Sequence, residues 1–124
     1  VDSKALFKDG DFINSSGQEL PWKIDCDAFI DEDWKTLAKI IDSHICFGHV
    51  EGVPRGGLKL AEALMQFCTI GKVLIVDDVL TTGESMMRQR QGRDALGVVV
   101  YDRSVVGCSN WIIPIFRVFR TWLP

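Results

Sequence analysis

Lys72-Val-Leu-Ile-Val-Asp-Asp-Val-Leu-Thr-Thr-Gly-Glu-Ser-Met86 joins an apolar, Val-rich run to two adjacent acids and a hydroxyl-rich turn. Residues Lys72 to Asp77 have the composition of a strand buried on both faces. The turn beyond them leads into a short helical segment, Glu84 to Gln91. Backbone N–H groups of such a turn converge on one point. With the hydroxyls of Thr81, Thr82 and Ser85 they can cradle a phosphate, and Gly83 allows a close approach. Asp77 and Asp78 can hold ribose hydroxyls, or the water shell of a Mg²⁺ ion, at a set distance from that phosphate. Strand termination explains the acids singly and helix capping explains Thr82, but neither explains the whole string.

On the N-terminal side, Glu51-Gly-Val-Pro-Arg-Gly-Gly57 closes another strand-like segment, Phe47 to Val53, and opens a helical one, Gly56 to Phe67. Its glycines permit a tight turn and a near approach to an anion, and Arg55 offers a guanidinium suited to phosphate oxygens. Alone, such a turn is commonly just a turn. One βαβ unit before the first motif, it becomes a second half of the same site.

The same alternation runs through the rest of the chain. Trp34, Leu37, Ala38, Ile41 and Ile45 fall at helical spacing within Asp31 to Ile45, with Asp31, Glu32 and Asp33 at the positive end of the predicted helix. Leu96 to Tyr101 and Trp111 to Phe116 read as strands, and Pro114 puts the second at a sheet edge. Extended pieces around Asp11 to Asn14 and Trp22 to Cys26, split by Ser15 to Gln18, form a hairpin-like flap. Val- and Ile-rich strands alternating with amphipathic helices predict an α/β fold: an open, mainly parallel sheet with helices on both faces. We expect one domain over 1–124, with a small N-terminal flap (1–30) and an α/β core (31–124). Ligands of such sheets bind beyond the carboxyl ends of the strands, which is where both motifs lie.

Composition narrows the classes. The chain has 124 residues, 47% hydrophobic and 25% charged, typical of a folded globular protein. Its net charge of −3 and lack of a dense basic block argue against nucleic acid as a partner, so Arg88, Arg90 and Arg93 read as a solvated helix face. Apolar runs fall well short of the ~18 residues that span a bilayer, and the acidic N-terminal stretch is unlike a signal peptide. The four cysteines are widely spaced, which fits buried thiols in a reducing, cytoplasmic setting. His44 and His49 flank Cys46 without a second cluster to complete a metal site, and both are expected to be structural.

The Lys72–Met86 string resembles the phosphoribosyl pyrophosphate (PRPP) motif of type I phosphoribosyltransferases. That resemblance implies that Asp77 and Asp78 contact the ribose and that Thr81, Thr82, Gly83, Glu84 and Ser85 hold the 5′-phosphate. Glu84 stands where the family often has a small residue. The loop containing Val53, Pro54, Arg55, Gly56 and Gly57 is similar to the family's pyrophosphate loop. Phe12-Ile-Asn-Ser-Ser-Gly17 with Pro21-Trp-Lys-Ile-Asp25, and Val98-Val-Val-Tyr-Asp-Arg103, resemble segments of orotate phosphoribosyltransferases. In those enzymes the Arg matching Arg103 reaches the base. Ser15 replaces a Lys common in the flap, and Asp27 replaces a basic residue. Only Met65 to Gly71 links the second helix to the motif strand, where the family usually inserts a further strand and a mobile loop.

The resemblance implies Mg²⁺-dependent transfer of a phosphoribosyl group from PRPP to a pyrimidine base, with orotate the implied base. It also implies a homodimer, for which Trp111 to Trp122 supplies apolar residues that core packing explains equally well. A PRPP-binding regulatory domain without strong catalysis is the alternative, and a domain for another phosphorylated ligand is a third reading.

Overall fold

The computed structural model describes residues 7–13, 19–104 and 107–117. An antiparallel hairpin of β1 (Phe7–Ile13) and β2 (Glu19–Ile24) precedes α1 (Asp31–His44), β3 (His49–Gly52), α2 (Leu58–Leu64), β4 (Val73–Leu80), α3 (Glu84–Arg90), β5 (Ala95–Asp102) and β6 (Ile112–Arg117). Both flap strands form but begin earlier than the sequence places them, at Phe7 and Glu19 rather than around Asp11 and Trp22, and Cys26 belongs to a 3₁₀ turn, Cys26–Ala28, rather than to the second strand. Asn14 and the Ser15–Gln18 turn lie outside the described residues. Four parallel strands form the main sheet in the order β3-β4-β5-β6, which leaves Pro114 on an edge strand as expected.

Alternation along the central strands builds two apolar layers. Leu74, Val76, Val98 and Val100 face Trp34, Leu37, Ala38 and Ile41 of α1 and Leu60, Ala61 and Leu64 of α2. Ile75 and Val99 point to the opposite face and pack with Met86 of α3. Helices therefore cover both faces, because a parallel sheet whose residues are apolar at every position must bury both sides. Leu60, Leu64 and Leu74 are wholly buried, so truncating any of them to Ala costs about 2–5 kcal/mol.

The helix boundaries follow from local chemistry. Asp33 reaches back to accept a 2.9 Å hydrogen bond from the Ile30 backbone N–H, closing the first turn of α1. At the other end His44 Nδ1 lies 2.8 Å from the Ile40 carbonyl, a structural role, and Ile45 turns into extended backbone while still packing on the core. The expected helix Gly56 to Phe67 is shorter: Gly57 is its N-terminal cap, and its last residues tighten into a 3₁₀ turn, Met65–Phe67. The expectation of four buried thiols is corrected, since only Cys26 is buried while Cys46 is exposed and Cys68 and Cys108 are partly so. Cys46 sits between Ile45 and Phe47, which point into the core, and so its own side chain faces outward.

Candidate active site

β4 runs further than its apolar composition suggests. Val79 and Leu80 pair with Tyr101 and Asp102 of β5, so Asp78 sits within the strand rather than just after it, and Asp77 is not the strand's last residue. The Asp77 side chain is buried, with its Oδ1 accepting a 2.8 Å hydrogen bond from the Asp78 N–H, while Asp78 Oδ1 accepts a 2.7 Å bond from the Val79 N–H. Loss of hydration, reinforced by the neighbouring Asp78 carboxyl, pushes the Asp77 carboxyl up to about 8. At neutral pH Asp77 thus keeps its proton.

Beyond Leu80 the chain turns sharply. Gly83 adopts a left-handed conformation, φ +86°, that residues with a β-carbon adopt reluctantly, and its carbonyl accepts from the Met87 N–H to start α3. Thr82 Oγ1 lies 3.4 Å from the Glu84 N–H, and the Thr82, Glu84 and Ser85 side chains remain exposed.

The earlier loop closes against this turn. Val53 N–H donates to the Val76 carbonyl at 2.8 Å, and Gly57 N–H donates to the Val53 carbonyl at 2.8 Å, which folds residues 53–57 back over the end of β4. A β-carbon on Gly56 would strike the Asp78 carboxyl, and one on Gly57 would strike the Val76 carbonyl and approach the Val53 nitrogen to 2.7 Å. The first glycine keeps a side chain out of the carboxylates, and the second lets two backbones touch.

These segments enclose a cleft of about 380 Å³. Val53, Pro54 and Gly56 line one side, Asp77 and Asp78 the floor, and Thr81, Thr82, Gly83, Glu84 and Ser85 the other side. Arg55 opens instead onto an adjoining cavity of about 610 Å³, shared with Gly56 and Asp78 and bordered by Cys26, Asp27, Trp34 and Lys59. Burial and the nearby carboxylates, Asp78 foremost, push the Cys26 thiol up to about 12, so it stays protonated. Arg103 is buried and its N–H donates to the Leu80 carbonyl at 3.0 Å, but it borders neither cavity. The following loop is held by Asp102, which accepts from Ser104 N–H at 2.8 Å, from Ser104 Oγ at 2.5 Å and from Cys108 Sγ at 3.1 Å. Burial alone would raise the Asp102 carboxyl, but these bonds and Arg117 outweigh it and hold it below the ordinary carboxylate range.

Among the described residues no group of three or more His, Cys, Asp or Glu could hold a metal ion by itself. Two neighbouring carboxylates do suit the form in which Mg²⁺ commonly binds, with substrate oxygens and water completing its shell.

The order of strands, the two loops at their carboxyl ends and the helices on both faces define the type I phosphoribosyltransferase fold. Within it the chain is similar to orotate phosphoribosyltransferase from Aeropyrum pernix, with a TM-score of 0.66 and 22% identity over 90% of this chain and 88% of that one. It is also similar to the orotate phosphoribosyltransferase of Mycobacterium tuberculosis H37Rv in complex with inorganic phosphate (TM-score 0.63, 18% identity, 88% of this chain and 86% of that one). Leishmania donovani UMP synthase matches at TM-score 0.68 and 20% identity over 91% of this chain but 34% of its own. The sequence matches no protein-family model, and a comparison with curated proteins gives no match.

Sequence reasoning passed over Arg88 and the second cavity. Arg88, read as part of a solvated basic face, lines the cleft one helical turn after Glu84. Its i,i+4 spacing from a loop acid was the available signal. Trp34 and Lys59 carried no motif, since only the packing of α1 beside α2 brings them to the rim of Arg55.

Proposed function

We propose that the chain binds PRPP along the carboxyl edge of its sheet and transfers the phosphoribosyl group to a pyrimidine base, orotate by preference, with release of pyrophosphate. One observation carries this reading: a single cleft unites the Asp77–Asp78 pair with the hydroxyls of Thr81, Thr82 and Ser85, under a loop whose Gly56 leaves room only for the Asp78 carboxyl. A phosphorylated sugar matches that layout, with hydroxyls on the acids and phosphate on the loop.

Loss of pyrophosphate leaves positive charge on the ribose ring, and a base nitrogen then attacks the anomeric carbon. No protein nucleophile is needed. Asp78, and Asp77 once it ionises, hold the ribose hydroxyls and face the developing charge, while Arg55 in the adjoining cavity draws the leaving pyrophosphate. A Mg²⁺ ion held with Asp77 and Asp78 would supply charge neutralisation for the phosphate oxygens. The working unit in this reading acts in the cytoplasm, as a homodimer, on PRPP and a free base.

A second reading, a PRPP-binding regulatory domain, is favoured by one specific feature. The connection from α2 to β4 is a 3₁₀ turn and a few residues, and none of them borders the cleft. A site left open to water suits binding better than fast transfer. Pyrophosphate release from Mg²⁺-PRPP with a panel of free bases separates the two readings. Release on adding orotate supports transfer. PRPP protection against thermal unfolding without release with any base supports the regulatory reading, and the double substitution Asp77→Asn, Asp78→Asn should abolish that protection. Arg103→Ala tests the base: an orotate-specific loss of about ten- to a hundredfold, the weight of a charge-assisted hydrogen bond, supports orotate, whereas equal losses with uracil assign Arg103 to the fold or to PRPP.

A further inference from the structure

The lining of the cleft is unbalanced. Asp77, Asp78 and Glu84 are all acids, and Arg88 is the one cationic side chain on its wall among the described residues. A phosphate monoester carries about −1.5 to −2 charges at neutral pH and would meet Glu84 beside the loop that is to hold it. Hydroxyls of Thr81, Thr82 and Ser85 donate hydrogen bonds but do not offset that charge. We propose that Arg88 is the residue that admits a phosphate to this cleft, neutralising Glu84 while the cleft is empty and turning its guanidinium onto phosphate oxygens when it is filled. This assignment rests on the reading of the cleft as a phosphate site, and on no transfer step.

Three features support it. Arg88 and Glu84 lie one helical turn apart on α3, so both side chains share one face. Their contact is long, 3.9 Å, and both ends are largely exposed, at 77% and 70%, so the pair is weak and gives way cheaply to a better partner. The guanidinium fork can meet two phosphate oxygens at once, which the exposed Glu84 carboxylate at 3.9 Å does not exploit.

The test measures calorimetric binding of ribose 5-phosphate and of inorganic phosphate to the wild type, Arg88→Gln, Glu84→Gln and the double variant. Because both positions are exposed, all four proteins should melt alike. Arg88→Gln should weaken ribose 5-phosphate by about tenfold or more, one charge-assisted hydrogen bond's worth. Glu84→Gln should tighten it, and the double variant should recover part of what Arg88→Gln loses. An Arg88→Gln affinity within about twofold of wild type, a Glu84→Gln that binds more weakly, or a wild type that takes neither probe overturns the assignment. Arg88-dependent binding of ribose 5-phosphate in a protein that releases no pyrophosphate with any base keeps it and removes the transfer reading. Turnover indifferent to Arg88→Gln does the reverse.

Discussion

Arg93 grips Glu51 with two parallel hydrogen bonds of 2.8 Å, and the grip joins β3, which feeds the first loop, to the residues just after α3, which follows the second. Gln89 adds a 3.0 Å bond to Glu51, and Arg93 also donates to the Gln89 carbonyl at 2.7 Å. Arg90 completes the cluster by lying over the Trp111 ring, 4.7 Å from its centre. The two loops are thus tied from behind, on the α3 face of the sheet.

That grip is pH-dependent. Hydrogen bonds from Arg93, then Gln89, lower the Glu51 carboxyl to about 2 from an ordinary 4.5. A carboxylate depressed in the folded state contributes stability that is complete above about pH 4.5 and fades as the pH falls toward about 2. Glu51→Gln should therefore melt a few degrees below wild type at neutral pH, with the gap closing across that acid window. Thermal melts of both proteins at stepped pH check this; a gap that persists at low pH would assign the loss to packing.

Asp77 has the opposite sign. Its folded carboxyl holds a proton up to about 8, against 3.8 ordinarily, so the stability it contributes is complete below about pH 3.8 and drains away as the pH rises through about 8. Asp77→Asn, which keeps the acceptor for the Asp78 N–H, should melt higher than wild type at pH values above 8, with the advantage shrinking on acidification. Chemical denaturation across the same range measures it, and a wild type that gains stability toward alkaline pH would contradict the assignment.

Gly56 and Gly57 should part ways on substitution by Ala. At Gly56 the new methyl meets the end of a side chain, the Asp78 carboxyl, which can swing away; the fold survives, but ligand-induced stabilisation by PRPP is lost. At Gly57 the methyl meets backbone that cannot yield, so the protein itself should lose about 1–3 kcal/mol. Urea unfolding of both variants, with and without Mg²⁺-PRPP, distinguishes these outcomes.

Asp102 should matter to the loop beyond β5. Its carboxylate is only 2% exposed and serves three donors, so Asp102→Ala leaves the Ser104 N–H and hydroxyl unpaired in the interior. A loss of about 3 kcal/mol or more is expected, against a small one for Asp102→Asn, which retains an acceptor. Equal losses in the two variants would mean that charge, not hydrogen bonding, organises the loop.

Much of this arrangement is legible in the residues themselves. The unbroken apolar run that buries Leu74 through Val76 on both faces and the spacing of Trp34, Leu37, Ala38 and Ile41 are one-dimensional patterns, and they map directly onto strand and helix. The string from Asp77 to Ser85 marks its own loop, because a strand, two acids and a hydroxyl turn leave few other geometries. What lay hidden depends on contacts between distant segments. Val79 and Leu80 join β4 only because Tyr101 and Asp102 pair with them, and Arg88 reaches the cleft only because Gly83 bends the chain back. Arg103, prominent in sequence beside Asp102, is buried, since Leu80 draws its backbone to the sheet.

Asp78 borders both cavities, Asp77 only the first, and Gly56 stands between the two hollows. One hollow is walled by Met86 of α3, the other by Trp34 of α1 and Lys59 of α2, so they open on opposite flanks of the sheet. A molecule that fills both must straddle the sheet's crest like a saddle. The two halves of such a molecule are then gripped by layers that share no helix, and either half can be redesigned, or drift in evolution, while the hold on the other is left intact.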